Sequence, residues 1–285
     1  RHLEGTVALR DLLAAKDSEI IGDLMESDVK SVKTHDHQED VADLFKKYDL
    51  VSMPVVDNEN RLVGLITIDD VVDVMEEETT EDIYKMAAME PTEESYADAG
   101  VFAIARKRIP WLLILMVSAI FTGMIITHFE DVLSDTGKLG VLLTACLPML
   151  MDTGGNCGAQ SSTLVIRGLA LGEVHFSDIL KVWWREARVA LLVGGVLMLV
   201  NIGRQLLLYT FTAGVTADTV TVTMVVSVAM FLTVLIAKSI GCTLPLFASK
   251  LHLDPALMAS PLITTLVDAC SLTILFSIAT AVMHV

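Results

Sequence analysis

Asp268 is the one acid in an apolar run from Leu262 to Met283. A carboxylate near the middle of a membrane costs about 2.5–3.5 kcal/mol on insertion scales, so by default it marks a functional site. It is also a hard oxygen donor. More oxygen donors, Asp152, Asn156 and Gln160, stand among Gly154, Gly155 and Gly158 in the apolar stretch Leu139–Leu171. Glycines and polar residues at membrane depth are tolerated where backbone is buried in protein or lines water. Small-xxx-small helix packing would account for the glycines, but packing alone does not require an acid and two amides. Asp268 lies six residues from Leu262, about 9 Å in from what the charge pattern below makes the cytoplasmic end. Asn156 lies seventeen residues from the outer end of its stretch, about 26 Å across a core of about 30 Å. Both fall at similar depth in the cytoplasmic half and could line one site.

A third acidic group lies outside the apolar runs. Glu76 to Asp98 holds nine acids (Glu76, Glu77, Glu78, Glu81, Asp82, Glu90, Glu93, Glu94 and Asp98) against the single base Lys85. A solvated linker is the plain reading of such a run. Ile83, Tyr84, Met86 and Ala87, however, form an amphipathic stripe, which predicts a packed helix over part of it. Holding many carboxylates close together is unfavourable unless cations neutralise them. That is the physical basis of a divalent-cation switch.

The elements that must carry these groups separate by composition. The 285 residues are 53% hydrophobic and 20% charged. Residues 1–108 contribute −14 of the net charge of −16, which excludes a basic nucleic-acid binder and argues against a wholly soluble enzyme. Five stretches are long enough to cross a bilayer, which needs about 20 residues: Trp111–Phe129, Leu139–Leu171, Val189–Thr212, Val220–Ala237 and Leu262–Met283. Arg106, Lys107 and Arg108, then Arg167, Lys181, Arg185 and Arg188, then Lys250 flank one set of span ends. Glu130, Asp131 and Asp135, with only Lys138, and Asp218 flank the other. This asymmetry predicts a multi-pass membrane protein with a cytoplasmic N-terminal domain and an outside C-terminus. No apolar segment opens the chain, so no cleaved signal peptide is expected. Lys238 and Arg204 read as interfacial, Lys238 by snorkelling. Cys146, Cys157, Cys242 and Cys270 lack the close pairing of a zinc or redox motif and read as small buried residues.

Residues 20–75 read as a compact α/β unit. Ile20–Met25 begins it, Glu39–Tyr48 is an amphipathic helix, and Ser52–Asp57 and Leu62–Ile68 are strands joined by the turn Asp57–Asn60. Asp69–Met75 opens a helix capped by Thr67 or Asp69. Val7–Leu13 echoes Ile66–Val72 at an offset of 59 residues, pairing Asp11 with Asp70. This resembles the CBS domain, with one complete copy and, in residues 1–15, the end of another; on this reading the chain starts inside a domain. In many CBS pairs the Thr67-x-x-Asp70 pattern contacts the ribose of an adenine nucleotide such as ATP. The corresponding residues at the end of the first copy are Arg10 and Asp11. Helix capping is the preferred role for Thr67 and Asp70, because half the pair is missing.

The CBS unit, the acidic connector, the five spans, the run Pro148–Glu173 and the run Ser260–Asp268 together resemble the MgtE family of magnesium channels. The resemblance implies an α-helical polytopic membrane domain of five transmembrane helices at 109–285. Before it stand an N-terminal cytosolic α/β CBS domain (the end of one motif at 1–15, a second at 16–75) and an acidic connecting, or plug, helix at 76–108. It implies a homodimer in the plasma membrane, with the second and fifth spans of both subunits forming one pore. Asp268 maps onto the pore carboxylate and Asn156 onto the pore-lining asparagine. Thr264 falls where a backbone carbonyl helps hold the ion, and Asp152 joins the pore set. Regulatory Mg2+ would bind Glu39, Asp49, Asp70, Asp73, Glu78, Glu81 and Asp82, closing the pore when cytosolic magnesium is high. Lys238 stands where an uncharged residue is expected.

The chemistry agrees with that implication. Magnesium favours oxygen and keeps several waters, so its path should offer a few carboxylates with carbonyls and amides. A two-fold axis turns one Asp268 into two facing charges. None of the histidines, His128, His175, His252 and His284 among them, is placed as a pore ligand. Two rival readings are a secondary exchanger of divalent cations and a non-conducting CBS membrane sensor. The absence of two similar inverted halves argues against the first, and the second leaves Asp152, Asn156 and Asp268 unexplained. A hydrolytic enzyme has no nucleophile–base constellation here.

Overall fold

The computed structural model describes residues 2–92, 97–129, 137–212 and 214–283. Glu93, Glu94, Glu130, Asp131, Asp135 and His284 lie outside the described residues. The chain divides into two compact units, residues 1–81 and 82–285.

In the first unit, β1 (Val32–Lys33), β2 (Ser52–Val56) and β3 (Leu62–Thr67) form a sheet in the order β1-β2-β3. β1 runs parallel to β2, with Val32 opposite Val55; β3 runs antiparallel, with Ser52 opposite Thr67. After the short helices α1 (Leu9–Ala14) and α2 (Ile21–Leu24), α3 (Gln38–Tyr48) buries Val41, Ala42 and Phe45. These meet Val32, Met53 and Val71 in the core. Asp49 ends α3 in the left-handed conformation, φ 50°, its amide donating to the Phe45 carbonyl. The predicted hairpin turn is present. The Asp57 carboxylate accepts from the amides of Glu59 and Arg61 at 2.9 and 2.8 Å, and Asn60 takes φ 59°. Two-residue β1 was not expected, being too short to show a period.

α4 (Ile68–Met86) starts the acidic segment as a continuation of the α/β unit rather than as a separate helix. Tyr84 and Met86 are half-buried, while Ile83 is exposed. Residues 87–92 and 97–100 are not helical, and α5 (Val101–His128) follows.

The second unit is built on α5, α6 (Lys138–Ala170), α7 (Ile179–Phe211), α8 (Ala217–Lys250) and α9 (Ser260–Met283). α8 is the central helix and packs against α6, α7 and α9; α5 packs on α9. Leu143, Leu150, Val226 and Phe276 make one core layer, and Cys157, Ala190, Val234, Ile263 and Val267 another. Among the described residues, four helical stretches are long and apolar enough to cross a membrane: Val101–His128, Phe176–Phe211, Ala217–Lys250 and Pro255–Val282. α6 matches them in length, but Asp152, Asn156, Gln160 and the serines beside them break its apolar run.

The glycines of α6 do not interrupt it. They let its neighbours come close. A Cβ at Gly154 would stand 2.8 Å from a Val267 methyl, and one at Gly155 2.9 Å from the Thr264 methyl. At Gly241 of α8, a Cβ would stand 2.2 Å from the Gly158 carbonyl oxygen. That contact is backbone against backbone, which cannot yield as a side chain would. Overpacking of this kind costs typically about 1–3 kcal/mol. Gly241→Ala is therefore expected to lower the unfolding free energy in detergent by at least that amount. Gly203→Ala, where the added methyl meets nothing within 4 Å, is expected to leave it unchanged or raise it slightly.

Candidate cation path

Asp152, Asn156 and Gln160 recur every fourth residue, so they share one face of α6. All three are exposed, as are Thr163 and Arg167 further along the same face. The opposite face, with Gly154, Gly158, Ser161 and Val165, is buried against α8 and α9. The helix is thus polar on the side that, among the described residues, no element of this unit covers. This inverts the arrangement of a soluble amphipathic helix only if that side meets lipid; against water or a second polar face it is ordinary.

Asp268 stands half-buried on α9, one residue beyond Val267, which packs against Gly154 of α6. The Gly155–Thr264 contact joins the same two helices one turn away. The Thr264 and Thr265 hydroxyls both donate back to the Pro261 carbonyl, at 2.9 and 3.1 Å. Their side chains are therefore occupied within the helix. The glycine approach brings α9 at Thr264 and Val267 against α6 at Gly155 and Gly154, the stretch of α6 that also carries Asp152 and Asn156. This α6–α9 seam offers two acids and an amide, which suits a cation that keeps most of its water.

The regulatory set is spread over the first unit and the start of the second. Glu39 opens α3, Asp49 ends it, and Asp70 and Asp73 lie on the first turns of α4; all four are exposed. Glu78 accepts from the Gln38 amide at 2.8 Å, which sets Glu78 beside the start of α3. Glu81 and Asp82 are half-buried further along α4. Among the described residues, no three His, Cys, Asp or Glu side chains gather as a metal cluster. Thr67 donates to Asp70 at 2.9 Å, and Arg10 pairs with its neighbour Asp11 at 3.3 Å. The Thr67 side chain, with the first amides of α4, holds the Asp69 carboxyl below the usual carboxylate range. A lowered folded-state pKa stabilises above the ordinary value of 3.8 and fades as pH falls below it. These contacts engage Thr67, Asp69 and Asp70 with one another at the start of α4.

Comparison with known proteins follows the same division. The MgtE family, described as divalent cation transporter, matches residues 147–278, and the CBS domain matches residues 21–77. The magnesium transporter MgtE of Thermus thermophilus is 38% identical over 284 residues, covering 98% of this chain and 59% of the relative. That of Bacillus subtilis is 36% identical over 284 residues, covering 100% of this chain and 60% of the relative. The chain spans about three fifths of the length of these curated relatives. A solved chain, the cytosolic domain of the Mg2+ channel MgtE in complex with ATP, is 45% identical with a TM-score of 0.25. It covers 26% of this chain and 29% of that one. The family is one of transporters, not of enzymes.

Inside residues 147–278, one expectation is corrected. Lys238 does not snorkel. It is 5% exposed, and its Nζ lies 3.4 Å from Glu186 Oε2 and 3.1 Å from Ser161 Oγ. Glu186 was not singled out in the sequence, because its partner lies 52 residues away on another helix. Arg204 is exposed and donates to Asn201 at 3.0 Å, and Asn201 in turn donates to Ser227 at 2.8 Å. Cys146, Cys157, Cys242 and Cys270 are all free thiols, the first three buried. Lys85, the single base of the acidic segment, reaches Asp254 at 2.6 Å. Asp254 also caps the turn Pro255–Met258, accepting from the Ala256 amide at 2.8 Å, and that turn leads into α9.

Proposed function

We propose that this chain is the CBS and membrane portion of a homodimeric magnesium channel. The observation that carries the proposal is the exposed polar face of α6, a helix packed closely against the Asp268 helix α9. Lipid would leave Asp152, Asn156 and Gln160 unsatisfied, and each such group is costly in hydrocarbon. The same face of a second copy, related by a two-fold axis, covers it isologously and encloses water between the copies. Two Asp268 carboxylates then face a hydrated dication, while Asn156 and the Asp152 pair hold its water shell. The names of the relatives, both magnesium transporters, support magnesium as the ion. Five spans, the four apolar ones and α6, put the CBS domain in the cytoplasm and the C-terminus outside, in keeping with the basic loops.

Gating follows from the acids. Unit charges 4 Å apart repel by about 1 kcal/mol in water and about 4 kcal/mol at an effective dielectric of 20. A few such pairs among Glu39, Asp49, Asp70, Asp73, Glu78, Glu81 and Asp82 offset the modest apolar packing of α4. Divalent binding reverses the sign of that contribution, whereas monovalent salt only screens it. The Lys85–Asp254 bridge supplies a route from this segment to the turn that starts α9. An ion shifts such a gate only by its preference for the closed state.

Two outcomes test this reading. Asp268→Ala, reconstituted in liposomes, is expected to abolish magnesium influx while leaving expression and dimer formation near normal; full influx would reject the assignment. Millimolar magnesium is expected to protect residues 76–108 from proteolysis, and sodium chloride of equal ionic strength is not. Replacing Glu78, Glu81 and Asp82 by alanine should weaken that protection and leave the channel open at high cytosolic magnesium. Normal closure of the triple variant would move the sensor elsewhere.

A further inference from the structure

The buried ion pair in the membrane unit stands apart from the proposed path. Glu186 on α7 is 8% exposed, Lys238 on α8 is 5% exposed, and Ser161 on α6 is fully buried. Ser161 Oγ donates to Glu186 Oε2 at 2.6 Å and accepts from Lys238 Nζ at 3.1 Å, closing a three-membered cluster with the 3.4 Å ion pair. One point therefore joins α6, α7 and α8. Ionisable groups within a membrane segment are expensive and are kept where they serve a function. Nor is the pair a stabilising device by default, since well-packed apolar residues can replace a buried ion pair without loss.

Its position on α6 suggests the function. Ser161 follows Gln160 directly, and one residue is a rotation of about 100° around an α-helix. Ser161 thus lies about 100° around α6 from Gln160, about 140° from Asn156 and about 180° from Asp152, away from the centre of their face, consistent with their exposure and its burial. The cluster lies one turn from the Gly158–Gly241 backbone contact. That contact sets how near α6 and α8 approach. The rotation of α6 about its own axis is set by the side chains of its buried face, Leu143, Leu150, Val165 and Ser161 among them; of these, Ser161 is bonded to a charged pair. A hydroxyl held between a carboxylate and an ammonium resists that rotation.

We infer that the Glu186–Lys238 pair is a positioning element that fixes the rotation of α6 through Ser161, so that Asp152, Asn156 and Gln160 face the ion path. This rests on the proposed path. The pair touches no permeating ion; it acts through α6. Removal of the charge on one side leaves the other buried and unpaired, and removal of the hydroxyl alone leaves the pair intact but uncouples α6.

The test reads the orientation of α6 directly. In the full chain, in membranes, Asn156→Cys and Ala159→Cys are labelled one at a time with a water-soluble, membrane-impermeant thiosulfonate. The background is unmodified, Ser161→Ala, Lys238→Met or Lys238→Arg. With the pair intact, Asn156→Cys is expected to react at least ten times faster than Ala159→Cys. Ser161→Ala and Lys238→Met are expected to bring the two rates within about threefold, and Lys238→Arg to keep most of the contrast. Ser161→Ala changes little volume, so it remains informative if Lys238→Met does not fold. An unchanged contrast in Ser161→Ala overturns the positioning role and leaves the path standing. An inert Asn156→Cys in the unmodified background overturns the path, and this inference with it.

Discussion

A polar face on a membrane helix must be met by water, by an ion or by another polar surface, because hydrocarbon offers its groups no partner. The face of α6 that carries Asp152, Asn156 and Gln160 is under this constraint, and much of the surrounding structure can be read as serving it. The glycines on the reverse side bring α9 close, Gly154 against Val267 and Gly155 against Thr264. Without that approach the carboxylates of Asp152 and Asp268 would sit on separate helices at ordinary packing distance, about 8–10 Å between axes. With it, the two helices that carry them meet closely, as the proposed path requires. The opposite side of α6 is correspondingly rigid, held by backbone contact at Gly158 and by the polar cluster at Ser161.

The acidic half poses the complementary electrostatic problem. Its carboxylates are mostly exposed and gather into no metal cluster of three among the described residues. Magnesium tolerates this, since it binds through one or two carboxylates and keeps its waters. The proposed sensor would therefore bind its ion weakly and over several carboxylates rather than in a closed cage. The bridge from Lys85 to Asp254 matters here because Asp254 has two roles: it is an ion-pair partner and the cap of the turn before α9. The end of α4 is thereby joined to the turn from which the Asp268 helix starts.

Much of the α/β unit was legible from local pattern. The expected helix Glu39–Tyr48 is α3 less its first residue, and the strands around Asp57–Asn60 lie within a residue or two of β2 and β3. Hydrophobic period and turn chemistry determine those elements, and both are local. The acidic segment was less legible: its first part continues α4, since nothing in the local sequence stops that helix before Met86. Asp268, Asp152 and Asn156 could be singled out because a polar group in an apolar run is conspicuous. The meeting of the two helices that carry them could only be estimated from depth. Lys238 was misread because a lone cation near a span end looks like a snorkelling one. Only the packing of α7 against α8 shows that Glu186 awaits it inside. The glycines of α6 were likewise ambiguous between a break and a close approach, and the neighbouring Thr264 and Val267 decide for the approach.

The central claim is that water and ion share a continuous path along α6 and α9. The most direct measurement is planar-bilayer recording of the purified chain, with magnesium as the one permeant cation and no sodium or proton gradient. A hydrated path predicts discrete unitary currents that reverse with the magnesium gradient. Magnesium transport that gives no unitary current and runs only when a counter-ion gradient drives it would contradict the account.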